Sequence, residues 1–294
     1  MKPASFEFYS PESLTDVLRL LKQYGSEAKI LAGGQSLMPL MNLRLVRPKV
    51  IIDINRLAEL AYIAPGIAGG LAVGGLTRQR AVERSGLVQE QNPLLAESIS
   101  LIGHLQIRNR GTIGGSFVHA DPAAELPALA LLLEADFVLC NLNGQRVAQA
   151  KDFFRSYMTT TIEPTELLTE IRFPPWIPRC GWAIKEISRR AGDFAVAGVA
   201  TLLTLDGNSA CQEARIALFG VGATPLRIEK AEAMLRGTPL HGQTLAEAAR
   251  AVSEVLEPDS DVHASSEYRK EVAGVLAGRA LEAALQRARE GNEA

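Results

Sequence analysis

Two glycine-rich segments hold the residues best suited to bind a ligand in this chain of 294 residues. The first, residues 29–36, reads KILAGGQS, and the second, residues 108–127, begins RNRGTIGGSFVHADP. Glycine allows a backbone to approach a ligand closely, and successive N–H groups at a helix start attract an anion. The first segment alone is equally compatible with a tight turn that binds nothing, since Gly-Gly turns are common. Two such segments in one chain favour a ligand with two phosphates, held from both sides.

The second segment leads into a predicted helix over residues 122–133. Asp121 followed by Pro122 is a good helix start, because Asp caps a helix and Pro fits its first turn. Capping is therefore the simplest role of Asp121. The apolar run that follows it predicts a buried helix with Glu125 near its beginning.

Other motifs of catalysis are missing from the sequence. Residues 220–225 read GVGATP and begin like a dinucleotide fingerprint, but proline stands at the third glycine position. The four histidines lack the spacing of metal ligands, and the cysteines Cys140, Cys180 and Cys211 form no C-x-x-C pair. We therefore predict no metal site and assign no side chain as acid, base or nucleophile.

Composition narrows the class of protein further. Lys and Arg number 31 against 33 Asp and Glu, so there is no basic excess for nucleic acid. No stretch approaches the roughly 20 apolar residues of a membrane helix, and the first residues lack the apolar run of a signal peptide. An odd number of scattered cysteines suits a reducing compartment. These features predict a cytoplasmic protein without a membrane span.

Hydrophobic periodicity predicts a mixture of helices and strands. Residues 29–31 and 50–54 are predicted strands, and Ser10-Pro11 is predicted to open the first helix. The proline-rich stretch 173–178 disfavours both helix interiors and central strands, so we place a domain boundary there. The predicted domains are 1–176, with subdomains of about 1–56 and 57–176, and 177–294.

Five motifs, in this order and spacing, resemble the FAD-binding medium subunits of the molybdenum hydroxylases, the xanthine dehydrogenase and aerobic carbon monoxide dehydrogenase family. They are residues 32–36 (AGGQS), 108–116 (RNRGTIGGS), 120–127 (ADPAAELP), 189–195 (RRAGDFA) and 217–225 (ALFGVGATP). The similarity covers nearly the whole chain. Gln35 departs from the histidine that carbon monoxide dehydrogenases often carry, and three scattered cysteines argue against the iron–sulfur insertion of one subfamily.

The resemblance implies an α+β fold. A two-subdomain FAD-binding domain of the vanillyl-alcohol-oxidase/PCMH type is expected to clasp FAD between its subdomains. A small C-terminal domain with a three-stranded sheet and helices is expected to follow.

The resemblance also implies the residues that bind the cofactor. The two glycine segments are expected to hold the pyrophosphate, Ile102 and Leu168 to pack on the adenine or flavin, and Glu125 to hydrogen-bond the cofactor. Lys185 is expected near the flavin ring and Phe194 against it, although spacing alone favours a solvated lysine and a core phenylalanine. The expected set is Lys29, Leu31, Ala32, Gly33, Gly34, Gln35, Ser36, Ile102, Gly111, Thr112, Ile113, Gly114, Gly115, Ser116, Ala120, Asp121, Glu125, Leu168, Lys185 and Phe194.

The implied function is electron transfer within a molybdenum-containing hydroxylase or dehydrogenase. A large subunit with a molybdenum–pterin centre and a small subunit with [2Fe–2S] clusters are the expected partners, and the expected assembly is a doubled heterotrimer. FAD on this chain would pass the electrons to an external acceptor. Two alternatives stay open: a self-contained PCMH-type flavin oxidase or dehydrogenase, and a non-enzymatic partner that has lost FAD. The substrate and the acceptor are not specified by the sequence.

Overall fold

The computed structural model describes residues 2–293, in which helices and strands alternate irregularly along the chain. The strands are β1 (Glu7–Tyr9), β2 (Ala28–Leu31), β3 (Val50–Asp53), β4 (Ile63–Pro65), β5 (Leu71–Gly74), β6 (Asp136–Asn141), β7 (Gly144–Gln149), β8 (Phe154–Ser156), β9 (Thr159–Thr160), β10 (Leu167–Phe173), β11 (Gly181–Ile187), β12 (Ala197–Leu205), β13 (Cys211–Phe219) and β14 (Leu226–Arg227). The α-helices are α1 (Leu14–Tyr24), α2 (Leu37–Asn42), α3 (Gln79–Arg84), α4 (Gly86–Gln91), α5 (Pro93–Ile99), α6 (Leu105–Arg110), α7 (Ile113–His119), α8 (Glu125–Leu132), α9 (Ala150–Phe153), α10 (Glu229–Leu235), α11 (Gly242–Val255) and α12 (Ser266–Glu293).

A three-stranded parallel sheet in the order β1-β3-β2 forms the N-terminal part of the fold. The apolar central strand β3 is buried, and the apolar face of α1, formed by Val17, Leu18 and Leu21, shares its core. Helix α1 begins at Leu14 and not at Ser10-Pro11 as predicted. The cap is Ser13, whose hydroxyl accepts a hydrogen bond from the N–H of Asp16 at 3.1 Å.

The middle of the chain forms a five-stranded antiparallel sheet in the order β4-β5-β10-β6-β7. Its core is built around Phe137, whose ring centroid lies 5.0 Å from that of Phe117 and 4.3 Å from that of Phe153. Helix α8 is buried over almost its whole length, as its continuous apolar sequence predicts. This sheet therefore supports the second glycine segment, which runs from the end of α6 through α7 to the start of α8.

A second antiparallel sheet, in the order β11-β12-β13-β14, forms the C-terminal part. Every residue of β12 is buried, because α12 packs on β11 and β12 while α8 packs on β12 and β13. The sheet has four strands, which corrects the expected three. The additional strand β14 is only two residues long and pairs with Ala217 and Leu218, too short a segment to show a strand periodicity.

The structure also corrects the local prediction around the second glycine segment. Half of that segment lies in α6 and α7, two helices that the sequence did not predict. Helix α8 begins at Glu125 and not at Pro122, so Asp121 does not cap it. The Asp121 carboxylate instead accepts from the N–H of Ala123 at 2.9 Å in a tight turn, while the Pro122 carbonyl accepts from the N–H of Gly220 at 2.8 Å.

Within residues 2–293, none of the helices has the length and apolar character that crossing a membrane requires.

Packing of α12 against β11 predicts a specific cost for one substitution. A methyl group on Gly181 would overlap the main-chain carbonyl of Ala284 in α12, whereas one on Gly242 would meet no atom within 4 Å. We expect Gly181→Ala to lower the free energy of unfolding by about 1–3 kcal/mol, because a backbone clash forces α12 away from the sheet. Gly242→Ala is the matched control, and chemical denaturation of both variants measures the difference. Equal stability of the two variants would contradict this packing.

Candidate functional site

The two glycine segments meet at Gly33. A methyl group on this buried residue would lie 2.5 Å from the carbonyl oxygen of Arg110 and 2.8 Å from the Cα of Gly111. Only glycine allows two backbones to come this close. The structure therefore brings together the segments 32–36 and 111–116, which the sequence predicted to act on one ligand.

The first segment presents main-chain donors that the protein itself does not use. Among the described residues, no acceptor takes a hydrogen bond from the N–H groups of Gly33, Gly34, Gln35 or Ser36. Gly34 adopts the left-handed conformation, with φ of 72°, where the chain turns from β2 towards α2. Consecutive N–H groups without protein acceptors, on a partly exposed loop before a helix, form a binding site for an anion such as a phosphate.

The second segment differs, because the protein uses most of its main-chain donors. The N–H of Ile113 donates to the Thr77 carbonyl at 2.9 Å, and that of Gly114 to the Gly75 carbonyl at 3.0 Å. Gly115 donates to the Thr112 hydroxyl at 3.1 Å, so Thr112 caps α7. This segment thus forms a rigid wall and not a second row of available donors.

Glycine in the second segment is required by close packing. A methyl group on Gly114 would lie 2.6 Å from the Gly75 carbonyl oxygen, and one on Gly75 would overlap the Leu168 carbonyl. The segment, the turn after β5 and strand β10 are therefore stacked in direct backbone contact. The hydroxyl of Ser116, which is half-buried, has no hydrogen-bond partner among the described residues and is available to a ligand.

Two side chains that the sequence did not single out join the glycine segments. The Asn55 side chain donates to the Ala32 carbonyl at 2.8 Å and accepts from Arg78 at 2.6 Å. Arg78 also donates to the Arg110 carbonyl. Neither residue belongs to a recognisable motif, and only the folded structure shows that they lie between the segments.

A cleft with a volume of about 700 Å³ opens at the other end of α7. Its lining includes Asp121 from the N-terminal part of the chain and Phe194, Asp193 and Arg269 from the C-terminal part. The Phe194 side chain is 61% exposed, so it is not the core residue that spacing alone favoured. The structure thus brings Asp121 and Phe194 to one cavity.

Glu125 lies at the start of α8 and is only 5% exposed. Burial, followed by the nearby carboxylate of Glu186, raises the pKa of Glu125 to about 8. Burial alone raises the pKa of Glu186 to about 7, and one of its carboxylate oxygens is buried without a hydrogen-bond partner among residues 2–293. Glu125 is therefore protonated at neutral pH and can donate a hydrogen bond to a ligand.

The remaining predicted residues lie in varied environments. Leu168 is buried in the central core, Ile102 is half-buried, and Ala120 ends α7 in the left-handed conformation with φ of 51°. Leu31 is half-buried at the end of β2. Lys29 and Lys185 are exposed on their strands, and in the described part of the chain no hydrogen bond or ion pair joins either lysine to another predicted site residue.

Each of the two parts of the chain matches a known protein family. The family described as "FAD binding domain in molybdopterin dehydrogenase" matches residues 4–176. The family described as "CO dehydrogenase flavoprotein C-terminal domain" matches residues 182–284. The chain belongs to the FAD-binding medium subunits of the molybdenum hydroxylases.

Two curated members of this family match this chain over nearly their full length. The 6-hydroxypseudooxynicotine dehydrogenase complex subunit alpha of Paenarthrobacter nicotinovorans is 42% identical, over 98% of this chain and 97% of the relative. The carbon monoxide dehydrogenase medium chain of Hydrogenophaga pseudoflava is 40% identical, over 98% and 99%.

Solved structures of related enzymes have the same fold as this chain. A carbon monoxide dehydrogenase from Hydrogenophaga pseudoflava, in a form without the Mo-pyranopterin moiety of its molybdenum cofactor, superposes with a TM-score of 0.94 at 41% identity, covering 98% of this chain and 99% of that chain. Quinoline 2-oxidoreductase from Pseudomonas putida 86 superposes with a TM-score of 0.93 at 35% identity, over 98% and 99%. The predicted family, its α+β fold and its place among oxidoreductase subunits are thereby confirmed.

The buried acids predict how stability depends on pH. The folded state keeps the protons of Glu125 and Glu186 while the unfolded chain, with ordinary pKa values of 4.5, releases them. The contribution of these two groups to stability should therefore be full below about pH 4.5 and be lost as pH rises to about 8. We expect Glu186→Gln, which carries no titrating proton, to have a flatter profile of melting temperature against pH.

The matched control is Glu90→Gln, which changes an exposed glutamate of α4. Its profile should follow that of the unchanged chain. A profile for Glu186→Gln that runs parallel to both would show that the buried carboxyls do not titrate in this window.

Proposed function

We propose that this chain binds FAD between its two glycine segments and passes electrons from [2Fe–2S] clusters of a partner subunit to an external acceptor. One observation supports this most: the unused donors of Gly33, Gly34, Gln35 and Ser36 lie where the two segments meet. A pyrophosphate placed there would receive several hydrogen bonds without displacing any contact within the protein.

The other predicted residues fit the rest of the same cofactor. The hydroxyls of Ser36 and Ser116 would add donors to the phosphates. Protonated Glu125 would donate to a hydroxyl or carbonyl of the cofactor, which an ionised carboxylate could not do. The cleft beside Phe194 offers an apolar surface for a flat ring. When bound, the flavin supplies the redox chemistry, and the protein binds and orients it.

We propose a large molybdopterin-binding subunit and a small [2Fe–2S] subunit as the partners, assembled as a doubled heterotrimer. The support comes from the relatives, which bear names such as "complex subunit alpha" and "medium chain" and match this chain over 97% and 99% of their own length. Relatives named for 6-hydroxypseudooxynicotine, carbon monoxide and caffeine are 36–42% identical to it. Such varied substrates on similar chains support a substrate site located on another subunit.

We further propose that the complex works in the cytoplasm. The three cysteines Cys140, Cys180 and Cys211 are all free thiols, which suits a reducing compartment. Burial raises the pKa of Cys180 to about 12 and that of Cys211 to about 11, so neither thiol is reactive at neutral pH.

Purification of the tagged chain from its native host tests this function. We expect one FAD for each copy of the chain, together with two co-purifying subunits that contain molybdenum and iron. A colourless complex that takes up no FAD would favour a partner protein that has lost the cofactor. Oxidation of an organic substrate by the isolated chain with FAD would instead favour a self-contained flavin enzyme.

Gly33→Ala should abolish FAD binding, because its methyl group would lie 2.5 Å from a main-chain oxygen of the opposite segment and separate the two. The matched control is Gly86→Ala, at the start of α4, where a methyl group meets no atom within 4 Å. The measurement is FAD released per chain from the purified complexes. Full FAD content in Gly33→Ala would contradict the proposed binding site.

Phe194→Ala should leave the FAD content unchanged and raise severalfold the rate at which dioxygen accepts electrons from the complex. The exposed ring lines the cleft, and its removal would widen this cavity for small oxidants. Phe8→Ala, which removes a phenylalanine of similar exposure on β1, is the control. An oxygen consumption rate equal to that of the control would argue against this role for Phe194.

A further inference from the structure

The Asn55–Arg78 clamp, formed by these two side chains, crosses between the glycine segments. Asn55 is oriented by Asp53, whose carboxylate accepts from both the main-chain N–H of Asn55, at 3.0 Å, and its side-chain amide. The same amide donates to the Ala32 carbonyl, and its oxygen accepts from Arg78. Every polar atom of the Asn55 side chain is therefore engaged, and the amide has one orientation.

Main-chain hydrogen bonds on both sides of Arg78 attach it to the second segment. Its neighbours are paired with that segment through main-chain bonds from Gln79 N–H to the Gly111 carbonyl and from Ile113 N–H to the Thr77 carbonyl, both 2.9 Å long. Its guanidinium then reaches back to Asn55 and to the Arg110 carbonyl. A planar guanidinium that satisfies two acceptors at once fixes the distance between them.

The clamp also determines where the first of the free main-chain donors, the N–H of Gly33, points. The Ala32 carbonyl and the Gly33 N–H belong to one planar trans peptide, so they point in opposite directions. When Asn55 holds that carbonyl, the Gly33 N–H is directed away from the clamp. Donors oriented before a ligand arrives do not have to be ordered on binding, which raises affinity.

We propose that Asn55 and Arg78 are positioning residues that hold the first glycine segment against the second and so orient its free donors for a pyrophosphate, which makes the chain prefer FAD to riboflavin. This inference rests on the proposed FAD site. Riboflavin lacks the phosphates, so its binding does not depend on the oriented donors, whereas that of FAD does.

The test uses the complex purified with its partner subunits, stripped of flavin and titrated with FAD and with riboflavin. Asn55→Ala and Arg78→Met should each lower the affinity for FAD by about 10- to 100-fold, the effect of losing a hydrogen bond to a charged group. The affinity for riboflavin should change little. The double variant should lose no more than either single variant, because the two residues act as one unit.

Arg78→Lys separates positioning from a direct contact with the phosphates. Lysine keeps the positive charge but lacks the fork that joins two acceptors. A positioning role predicts that Arg78→Lys loses FAD affinity as Arg78→Met does. Restoration of the full affinity by lysine would overturn the proposal in favour of direct phosphate binding.

Arg215→Met is the matched control for lost stability. Arg215 also joins a main-chain carbonyl, that of Leu132 at 3.1 Å, to a side chain, that of Glu213, but it lies away from the glycine segments. It should lower the melting temperature without changing FAD affinity. Equal FAD affinity in the clamp variants and this control would refute the positioning role of Asn55 and Arg78. Failure of the complex without any substitution to bind FAD would instead refute the proposed function.

Discussion

The candidate site depends on one close approach of two backbones. Gly33 touches the main chain at Arg110 and Gly111, and Gly114 touches it at Gly75. Side chains at these positions would separate the elements that carry the proposed ligand site. The three-stranded sheet positions the first segment, and the five-stranded sheet supports the second. Backbone contacts at these glycines therefore fix the position of one sheet relative to the other.

The two segments have different physical roles, although their sequences look alike. In the first, four adjacent N–H groups lack acceptors within the described protein, so it is the segment able to bind an anion. In the second, main-chain donors are satisfied by Thr77, Gly75 and Thr112. A row of glycines in a sequence shows that a backbone must come close to something, but it does not show whether that something is a ligand or the protein itself.

The sequence predicted the family, the fold class and the meeting of the segments, because these depend on motif order and on glycine. It did not predict the Asn55–Arg78 clamp, since two lone polar residues in different loops have no pattern until the chain folds. It also misplaced the start of α8. Asp121 and Pro122 form a favourable local helix start, yet the tertiary bond between Pro122 and Gly220 and the turn closed on Ala123 delay the helix to Glu125.

Helix α8 has a consequence for how this chain can be recombined with its relatives. Its residues share one core with Ala200, Leu202, Ala217 and Phe219 of the C-terminal sheet, so that core continues across the proline-rich stretch after β10. The proline-rich stretch therefore separates the two predicted domains along the sequence, but their side chains pack in one continuous core. A chimera joined at that stretch would pair α8 of one parent with β12 and β13 of the other. Its stability would depend on matched volumes across that contact more than on the linker where the sequences were joined.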